Sequence, residues 1–353
     1  MLMRTAIVRA TGDSFASSIA IRYGYSESKL WSTVVSYKLK LVCFVVIACL
    51  PAFAAIERGV MLREGVIYVD PSSDSTKLSN IGRGREVAVM ERSKGWANVM
   101  GTVDVGYEPE DPETQVERNV TGWVEDKGII LPSTPDGDKI LFGEAFDSEL
   151  EANKRGGRRN AAQDAMRLYG HIPVLFPQSP LAAEGAYRAA DIRWQLEAAE
   201  AASRPSAKER DPSLRLQIDE DFMKQVMKKY PHTKWADLAA YHLIDNKLCG
   251  EWEAAAKCPE MEAAMYVKYA DEHPQSPKTP EALYRAAWRY SALIQIYQTS
   301  NNQKKADESS ERSLALAKKL IAQYPNDTDW SSRAERLVYM VTNKMPTWGN
   351  TVE

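Results

Sequence analysis

A short phrase that recurs in the C-terminal half constrains the fold of this chain more than any other feature. Each copy has an aromatic residue or histidine, then proline, a polar run, and an alanine-rich stretch. The copies begin at Phe176-Pro177, Tyr230-Pro231 and His273-Pro274, and a looser fourth begins at Tyr324-Pro325. Proline cannot continue a helix, and it disfavours the α conformation in the residue before it. Each phrase therefore predicts the end of one helix and the start of the next.

The spacing of these phrases predicts a repeat. The copies start 54, 43 and 51 residues apart, which is enough for two helices and their turns per copy. Repeats of this length are typical of stacked helical arrays, in which neighbouring units bury each other's apolar faces. Tyr187, Tyr241 and Tyr284 each lie ten residues after a proline, and we expect them in the core of the array rather than at a ligand. Such an array favours a protein that holds other molecules over one that transforms them.

Residues 38–54 have the composition of a secretory signal. An apolar run at 41–50 follows two lysines and precedes Pro51-Ala52-Phe53-Ala54. As a helix, this run would cover only about half of a bilayer core of roughly 30 Å. The positive flank, short apolar core and small residues predict cleavage after Ala54, with a buried core helix as the alternative. Residues 1–37 are interpreted as an over-extended start or a disordered segment.

The end of the apolar run allows a second interpretation of the export signal. Val46-Ile47-Ala48-Cys49 resembles a bacterial lipobox, in which Cys49 would be lipidated. The first predicted strand begins within about ten residues of Cys49, which leaves little tether, so simple cleavage is preferred. The expected location is the periplasm or the cell exterior, and a lipid-anchored form in the cell envelope is the alternative.

Export leaves Cys249 and Cys258 as the cysteines that clearly belong to the mature body. In a compartment that permits oxidation they could form a disulfide that closes a small ring, worth about 2 to 3 kcal/mol in loop entropy. Two separately buried thiols are the alternative. A metal site is not expected, because no second cysteine pair or suitably spaced histidine accompanies them.

Residues 56–131 have short apolar runs of period two, split by glycine, proline and aspartate, which predicts a small β barrel. The order of motifs resembles the bacterial SH3-like domain. The residues that carry this resemblance are Leu62-Arg63, Ile81-Gly82 with Gly84, Val87 and Val89, Gly95-Trp96, and Gly122-Trp123-Val124. An acidic insert at 104–118 replaces the tight turn usual in the family, and we expect it to form a solvated hairpin loop.

The SH3-like resemblance implies a binding surface for cell-wall peptide or glycan. Trp96 and Trp123 would be its stacking platforms, because an indole presents a large rigid face at low entropic cost. The small size of the predicted barrel favours the alternative, in which one or both tryptophans fill its core.

A cluster of proline, glycine and aspartate begins at Pro132 and predicts a linker over 132–143. The helical region, 144–345, resembles the tetratricopeptide-like repeats of exported bacterial scaffold proteins, including outer-membrane assembly lipoproteins and envelope-division coordinators. The matching junctions are Phe176-Pro177-Gln178-Ser179, Tyr230-Pro231-His232-Thr233 and His273-Pro274-Gln275-Ser276. The predicted fold class is therefore multidomain, with an all-β SH3-like barrel followed by an all-α helical-repeat array. The resemblance implies a concave surface suited to peptides or helices.

The sequence motifs of common enzymes are missing from this chain, and its four histidines are scattered. Without residues 1–54, acidic residues outnumber basic ones, so no general attraction to nucleic acid is expected. The favoured hypothesis is a non-enzymatic scaffold that needs no cofactor and binds a partner protein, with membrane contact only through a lipid anchor. The alternative is a peptidoglycan-binding protein in which the barrel recognises the wall and the array is a spacer.

Overall fold

The computed structural model describes residues 56–107, 115–252 and 254–347. All of them belong to one compact unit, Ala55–Glu353. The predicted signal, the start at 1–37 and Cys49 lie outside the described residues and stay predictions. Among the described helices, none is both long and apolar enough to cross a bilayer.

The N-terminal part is a sheet of seven strands, counted over the described ranges. The strands are β1 (Glu57–Met61), β2 (Gly65–Tyr68), β3 (Lys77–Ile81), β4 (Glu86–Ser93), β5 (Trp96–Tyr107), β6 (Gln115–Glu125) and β7 (Ile129–Ile130). They pair antiparallel in the order β3-β2-β6-β5-β4-β1-β7. The sheet is curved, because β3 and β5 contact each other although they are not neighbours in this order.

The concave face of the sheet holds its core. In β5, Ala97, Val99, Gly101 and Val103 are buried, and the alternate residues Asn98, Met100 and Thr102 are more exposed, as expected for the period of two along a strand. They pack with apolar residues of the other strands into one cluster. The prediction of a β region ahead of a helical region is confirmed, and the β region is a seven-stranded antiparallel sheet.

The acidic insert differs from its prediction. Instead of a loop over 104–118, the structure extends both strands of the hairpin, so that Tyr107 pairs with Gln115 across a register shift between Asp104 and Gly106. Alternating residues of high strand propensity, Val103, Val105 and Tyr107, explain the extension. The insert is therefore mostly strand in its described part.

The C-terminal part is helical, with nine α-helices in the described residues. They are α1 (Gly137–Ala152), α2 (Ala161–Leu175), α3 (Ala182–Ser203), α4 (Asp221–Lys229), α5 (Lys234–His242), α6 (Lys257–Glu272), α7 (Thr279–Thr299), α8 (Gln303–Gln323) and α9 (Thr328–Thr342). Neighbouring helices pack against each other from α1 to α5 and from α6 to α9, and side chains such as Tyr241 and Tyr269, with ring centres 5.0 Å apart, join α5 to α6. The prediction of a helical C-terminal region is confirmed.

The four proline junctions share one backbone geometry. Phe176, Tyr230, His273 and Tyr324 each follow the last residue of a helix, with φ between −128° and −125° and ψ between 53° and 62°. The backbone N–H of each donates to the carbonyl four residues earlier at 2.9 Å. Because the following proline excludes the α conformation at these positions, the helix ends there. The predicted helix boundaries are confirmed.

The linker predicted over 132–143 is shorter in the structure, because α1 already begins at Gly137. Leu141 in this stretch is fully buried, and it belongs to a core that also contains Val60 and Ile130 from the sheet and Leu168 from α2. Burial of this apolar stripe against the sheet stabilises the first turns as helix. The sheet and the first helices therefore share a hydrophobic core.

A second contact fixes α2 on the sheet. Gly84 has φ of +71°, and a Cβ added there would lie 2.7 Å from the Cβ of Arg167 and 3.2 Å from the backbone nitrogen of Leu168. The Nε2 of His171, one turn further along α2, lies 3.0 Å from the carbonyl oxygen of Gly84. Glycine is required here both by the left-handed conformation and by the close approach of the helix.

The distal helices surround a buried polar centre. A disulfide joins Cys249 and Cys258. The carboxylate of Glu262 in α6 accepts hydrogen bonds from the backbone nitrogen of Cys249 at 2.8 Å and from the Trp252 indole at 3.3 Å. Its other oxygen accepts from Nε of Arg289 in α7 at 2.7 Å, and both side chains of this ion pair are buried. The buried Glu262 carboxylate therefore has both a cation and hydrogen-bond donors in a region that excludes water.

Candidate functional sites

The two tryptophans selected from the sequence lie on the outer face of the sheet. Trp96 and Trp123 are half-buried, whereas their neighbours Ala97 and Val124 fill the core. The alternative in which these tryptophans fill the core of the β region is therefore wrong. The physical reason is the strand period of two, which places residues next to buried positions on the opposite face.

The outer face gathers a third aromatic ring and an amide. Tyr68 of β2 pairs in register with Trp123, and its ring meets that of Trp96 edge-on at 5.6 Å. Asn98, opposite Trp123 in register, has a buried Oδ1 with no hydrogen-bond partner in the described part of the chain. We call Tyr68, Trp96, Asn98 and Trp123 the aromatic face. It offers flat rings for stacking and an unsatisfied acceptor.

A cavity of about 520 Å³ lies between the sheet and helices α2, α3 and α4. Its floor is formed by alanine side chains of α3, including Ala186 and Ala189, and its walls include Val174 of α2 and Phe222 of α4. Val174 is 57% exposed and Phe222 is 37% exposed. We call this cavity, with these lining residues, the proximal groove. Its volume lies within the range of small-molecule and peptide pockets.

Charged groups surround this apolar floor. Arg58 of β1 and Glu86 of β4 form an ion pair of 2.5 Å on the sheet side of the groove. On the helix side, the Arg193 guanidinium lies 3.9 Å from the centre of the Phe222 ring, and Lys229 is exposed at the end of α4.

Two neutral polar groups also line the proximal groove. Burial holds the pKa of His171 below its usual value, against the opposing effect of Glu86, so this imidazole is neutral at pH 7. The hydroxyl of Tyr230 is buried and has no hydrogen-bond partner within the described residues. The cationic charge of the groove therefore comes from arginine and lysine.

Alignment of the proline junctions shows what makes the proximal groove open. Val174 lies two residues before Phe176, and its equivalent before His273 is Asp271. Gln225 lies five residues before Tyr230, and its equivalent before Tyr324 is Lys319. In the distal copy, formed by α6, α7 and α8 and here called the distal seam, Lys319 Nζ and Asp271 Oδ1 form an ion pair at 3.2 Å.

The walls of the two copies also differ in side-chain volume. Gly170 of α2 corresponds to Val267 of α6. Gly170 lines the proximal groove, whereas Val267 packs against the core of the distal helices. The sequence gives Val174, Gln225 and Gly170 no motif, and only alignment of the repeats on their prolines could have singled them out.

A third group of side chains joins α3 to α5. The Nε2 of His242 lies 3.0 Å from Oδ1 of Asp191 and 3.3 Å from the hydroxyl of Tyr187. The Tyr187 ring stacks on Trp235 at 5.4 Å, so this tyrosine is a half-buried helix contact. These contacts hold two repeats together.

No cluster of histidine, cysteine and carboxylate side chains suited to a metal occurs among the described residues. Neither a protein-family model nor a curated protein matches the chain. The function is therefore inferred from the residues and surfaces described above.

Proposed function

We propose that this protein is an exported, non-enzymatic scaffold of the bacterial cell envelope that binds a partner protein through its helical region. In this proposal the helices form a tetratricopeptide-like array and the sheet is an SH3-like accessory module. The observation that carries the proposal is the proximal groove, where the helices leave apolar side chains exposed at a junction whose distal counterpart has an ion pair instead.

The energetics of the groove favour a protein segment as its ligand. Burial of apolar surface contributes roughly 25 cal/mol per Å², so one leucine or phenylalanine side chain seated on the alanine floor contributes about 1.5 to 3 kcal/mol. Val174 and Phe222, both partly exposed, would lose water on either side of such an anchor. Large side chains seated in pockets commonly dominate the binding energy of protein interfaces.

Export is supported by the signal-like composition of 38–54 and by the disulfide between Cys249 and Cys258, because disulfides persist in oxidising compartments. We propose the periplasm or the cell exterior as the location, with lipidation of Cys49 as the alternative anchor.

Photocrosslinking in the producing cell tests the scaffold proposal. A benzoylphenylalanine in place of Val174 would lie at the groove wall, and the same group in place of Asp271 would lie at the equivalent position of the distal seam. We expect a discrete crosslinked protein from position 174 and none from position 271. A lack of crosslinks at position 174, or the same products at both positions, would contradict the proposal.

The second candidate function is peptidoglycan binding through the aromatic face, with the helices as a spacer. The position of both tryptophans outside the core favours it, as does the unsatisfied Oδ1 of Asn98. Co-sedimentation with purified peptidoglycan is the test. We expect Trp123→Ala to abolish sedimentation and Tyr339→Ala, which removes an exposed ring on α9, to leave it unchanged. A wild-type protein that stays in the supernatant eliminates this function.

A further inference from the structure

The side chains that line the proximal groove include more cations than carboxylates. Four cationic side chains line it, and Glu86 is its one carboxylate within the described residues. The cations are Arg58, Arg167, Arg193 and Lys229. The chain as a whole has a formal net charge of −3. Exposed cations beside an apolar floor can pair with a ligand of opposite sign and help to orient it.

Carboxylates next to the groove pair with its arginines, and Lys229 is the lining cation without an ion pair among the described residues. Arg193 pairs with Glu197 at 2.8 Å and lies 3.7 Å from Asp219, while its side chain remains 40% exposed. Arg167 lies 3.8 Å from Asp164. At the sheet side, Arg58 is 68% exposed beside Glu86. Lys229 lies at the exposed end of α4, with its ammonium 5.6 Å from the centre of the Tyr230 ring. A ligand carboxylate can therefore approach cations on both sides of the groove.

The arrangement of these cations argues against nucleic acid. Proteins that bind a nucleic acid backbone present a continuous basic track, often with aromatic rings for stacking bases. Here the cations are separated by an apolar floor that includes Ala186, Ala189 and Val174. Because the apolar floor of the groove lies between cations, it is complementary to a ligand in which negative groups flank an apolar side chain.

We propose that the proximal groove binds an extended acidic protein segment, in which carboxylates flank a bulky apolar side chain. This inference rests on the proposed scaffold function and narrows its partner class. The apolar side chain lies on the alanine floor between Val174 and Phe222. The flanking carboxylates pair with Lys229 and Arg193 on one side and with Arg58 on the other.

Panning a phage-displayed library of random peptides tests this inference. The bait is residues 55–353, which form one compact unit. We expect the selected peptides to be acidic around one large apolar residue. Their synthetic, fluorescently labelled forms should bind more weakly as salt rises, because salt screens exposed charges. Fluorescence anisotropy measures the affinities.

Adjacent lysines provide a matched pair of variants. Lys229→Glu reverses a charge that lines the groove, whereas Lys228→Glu makes the same change at an exposed neighbour outside the lining. We expect Lys229→Glu to weaken binding of the selected peptides about three- to tenfold and Lys228→Glu to weaken it by less than about twofold. Equal effects would mean that net charge alone is recognised, and would overturn the inference.

Gly170→Leu tests the apolar volume of the groove without changing its charge. A Cβ at Gly170 meets Ala189 at 3.8 Å, an ordinary contact, so the leucine fills the groove without a backbone clash. We expect peptide binding to fall by about tenfold or more, while the melting temperature stays the same or rises because leucine favours helix over glycine.

The outcomes distinguish this inference from the scaffold proposal. Acidic peptides that are lost with Gly170→Leu and with Lys229→Glu support both. Neutral or basic peptides that are lost with Gly170→Leu keep the groove as a protein-binding site but overturn the acidic assignment. If no selected peptide responds to Gly170→Leu, both fail. A short single-stranded oligonucleotide that displaces acidic peptides and shows the same response to Lys229→Glu would overturn the peptide assignment.

Discussion

The proximal groove and the distal seam share the backbone geometry of their proline junctions but present different surfaces. Each is formed by two helices that end at proline junctions and by the helix between them. In the distal seam, α8 is 21 residues long and Lys319 pairs with Asp271. In the proximal groove, α4 has nine residues, and the equivalent positions hold Gln225 and Val174. A few side chains and the length of one helix thus distinguish the two junctions.

This difference suggests how one helical region separates stability from recognition. The distal helices contain the disulfide and the buried pair of Glu262 and Arg289, which fill their interior. The proximal helices are supported instead by the sheet, through the core of Val60 and Leu168. The proximal groove lies beside this supported region, between the sheet and helices α2, α3 and α4.

The largest expected effect is in the distal region. Arg289→Met leaves the buried carboxylate of Glu262 without its cation, and we expect a loss of about 3 to 5 kcal/mol in the free energy of unfolding. Urea denaturation measures this loss. Arg204→Met, at an exposed pair with Glu200, is the control, with an expected change below about 1 kcal/mol. Similar effects of the two changes would show that the distal interior does not depend on this ion pair.

Reduction of the disulfide should have the next largest effect. Because Cys249 and Cys258 close a small ring, we expect reductant to lower the free energy of unfolding by about 2 to 3 kcal/mol. The double variant Cys249→Ala/Cys258→Ala should no longer respond to reductant. Denaturation of the wild type with and without reductant decides the question, and identical curves would rule out a stabilising disulfide.

The contact between the sheet and α2 gives an effect of similar size. Gly84→Ala adds a methyl group against Arg167 and Leu168 at a positive φ, and we expect a loss of about 2 to 3 kcal/mol. Gly95 also has a positive φ, but a Cβ there meets nothing within 4 Å. Gly95→Ala should therefore cost only about 1 kcal/mol, from backbone strain. Equal losses on thermal unfolding would argue against the close packing of α2 on the sheet.

The smallest effect on stability comes from exchanging the residues that distinguish the two junctions. Val174→Asp with Gln225→Lys gives the proximal groove the pair found in the distal seam, and Asp271→Val with Lys319→Gln removes that pair. Since these positions are exposed, we expect each double change to alter the free energy of unfolding by less than about 1 kcal/mol.

Peptide binding should distinguish these two double variants. The proximal double variant should lose the peptides selected on the wild type, and the distal one should retain them, as measured by fluorescence anisotropy. Retention of binding by the proximal variant would show that these positions do not control access to the groove.

Local patterns in the sequence predicted the order of elements and the four helix boundaries, because proline acts on its immediate neighbours. They also placed Tyr241 and Tyr284 in the core, where both are buried. The linker was predicted too long, since the helical stripe beginning at Leu141 is stabilised by a sheet distant in sequence. The proximal groove was missed because an exposed valine at position 174 is informative only when it is compared with the equivalent residue, Asp271.

Hydrogen–deuterium exchange with and without the selected acidic peptide tests the contrast between the two junctions most directly. Without peptide, we expect the amides of α4 to exchange faster than those of α8, because α4 is shorter and packs over less of its neighbour. With peptide, α4 and the last turn of α2 should gain protection while α6 and α8 stay unchanged. Equal protection of α4 and α8 without peptide, or protection by the peptide centred on α6 and α8, would contradict an open proximal groove and a closed distal seam.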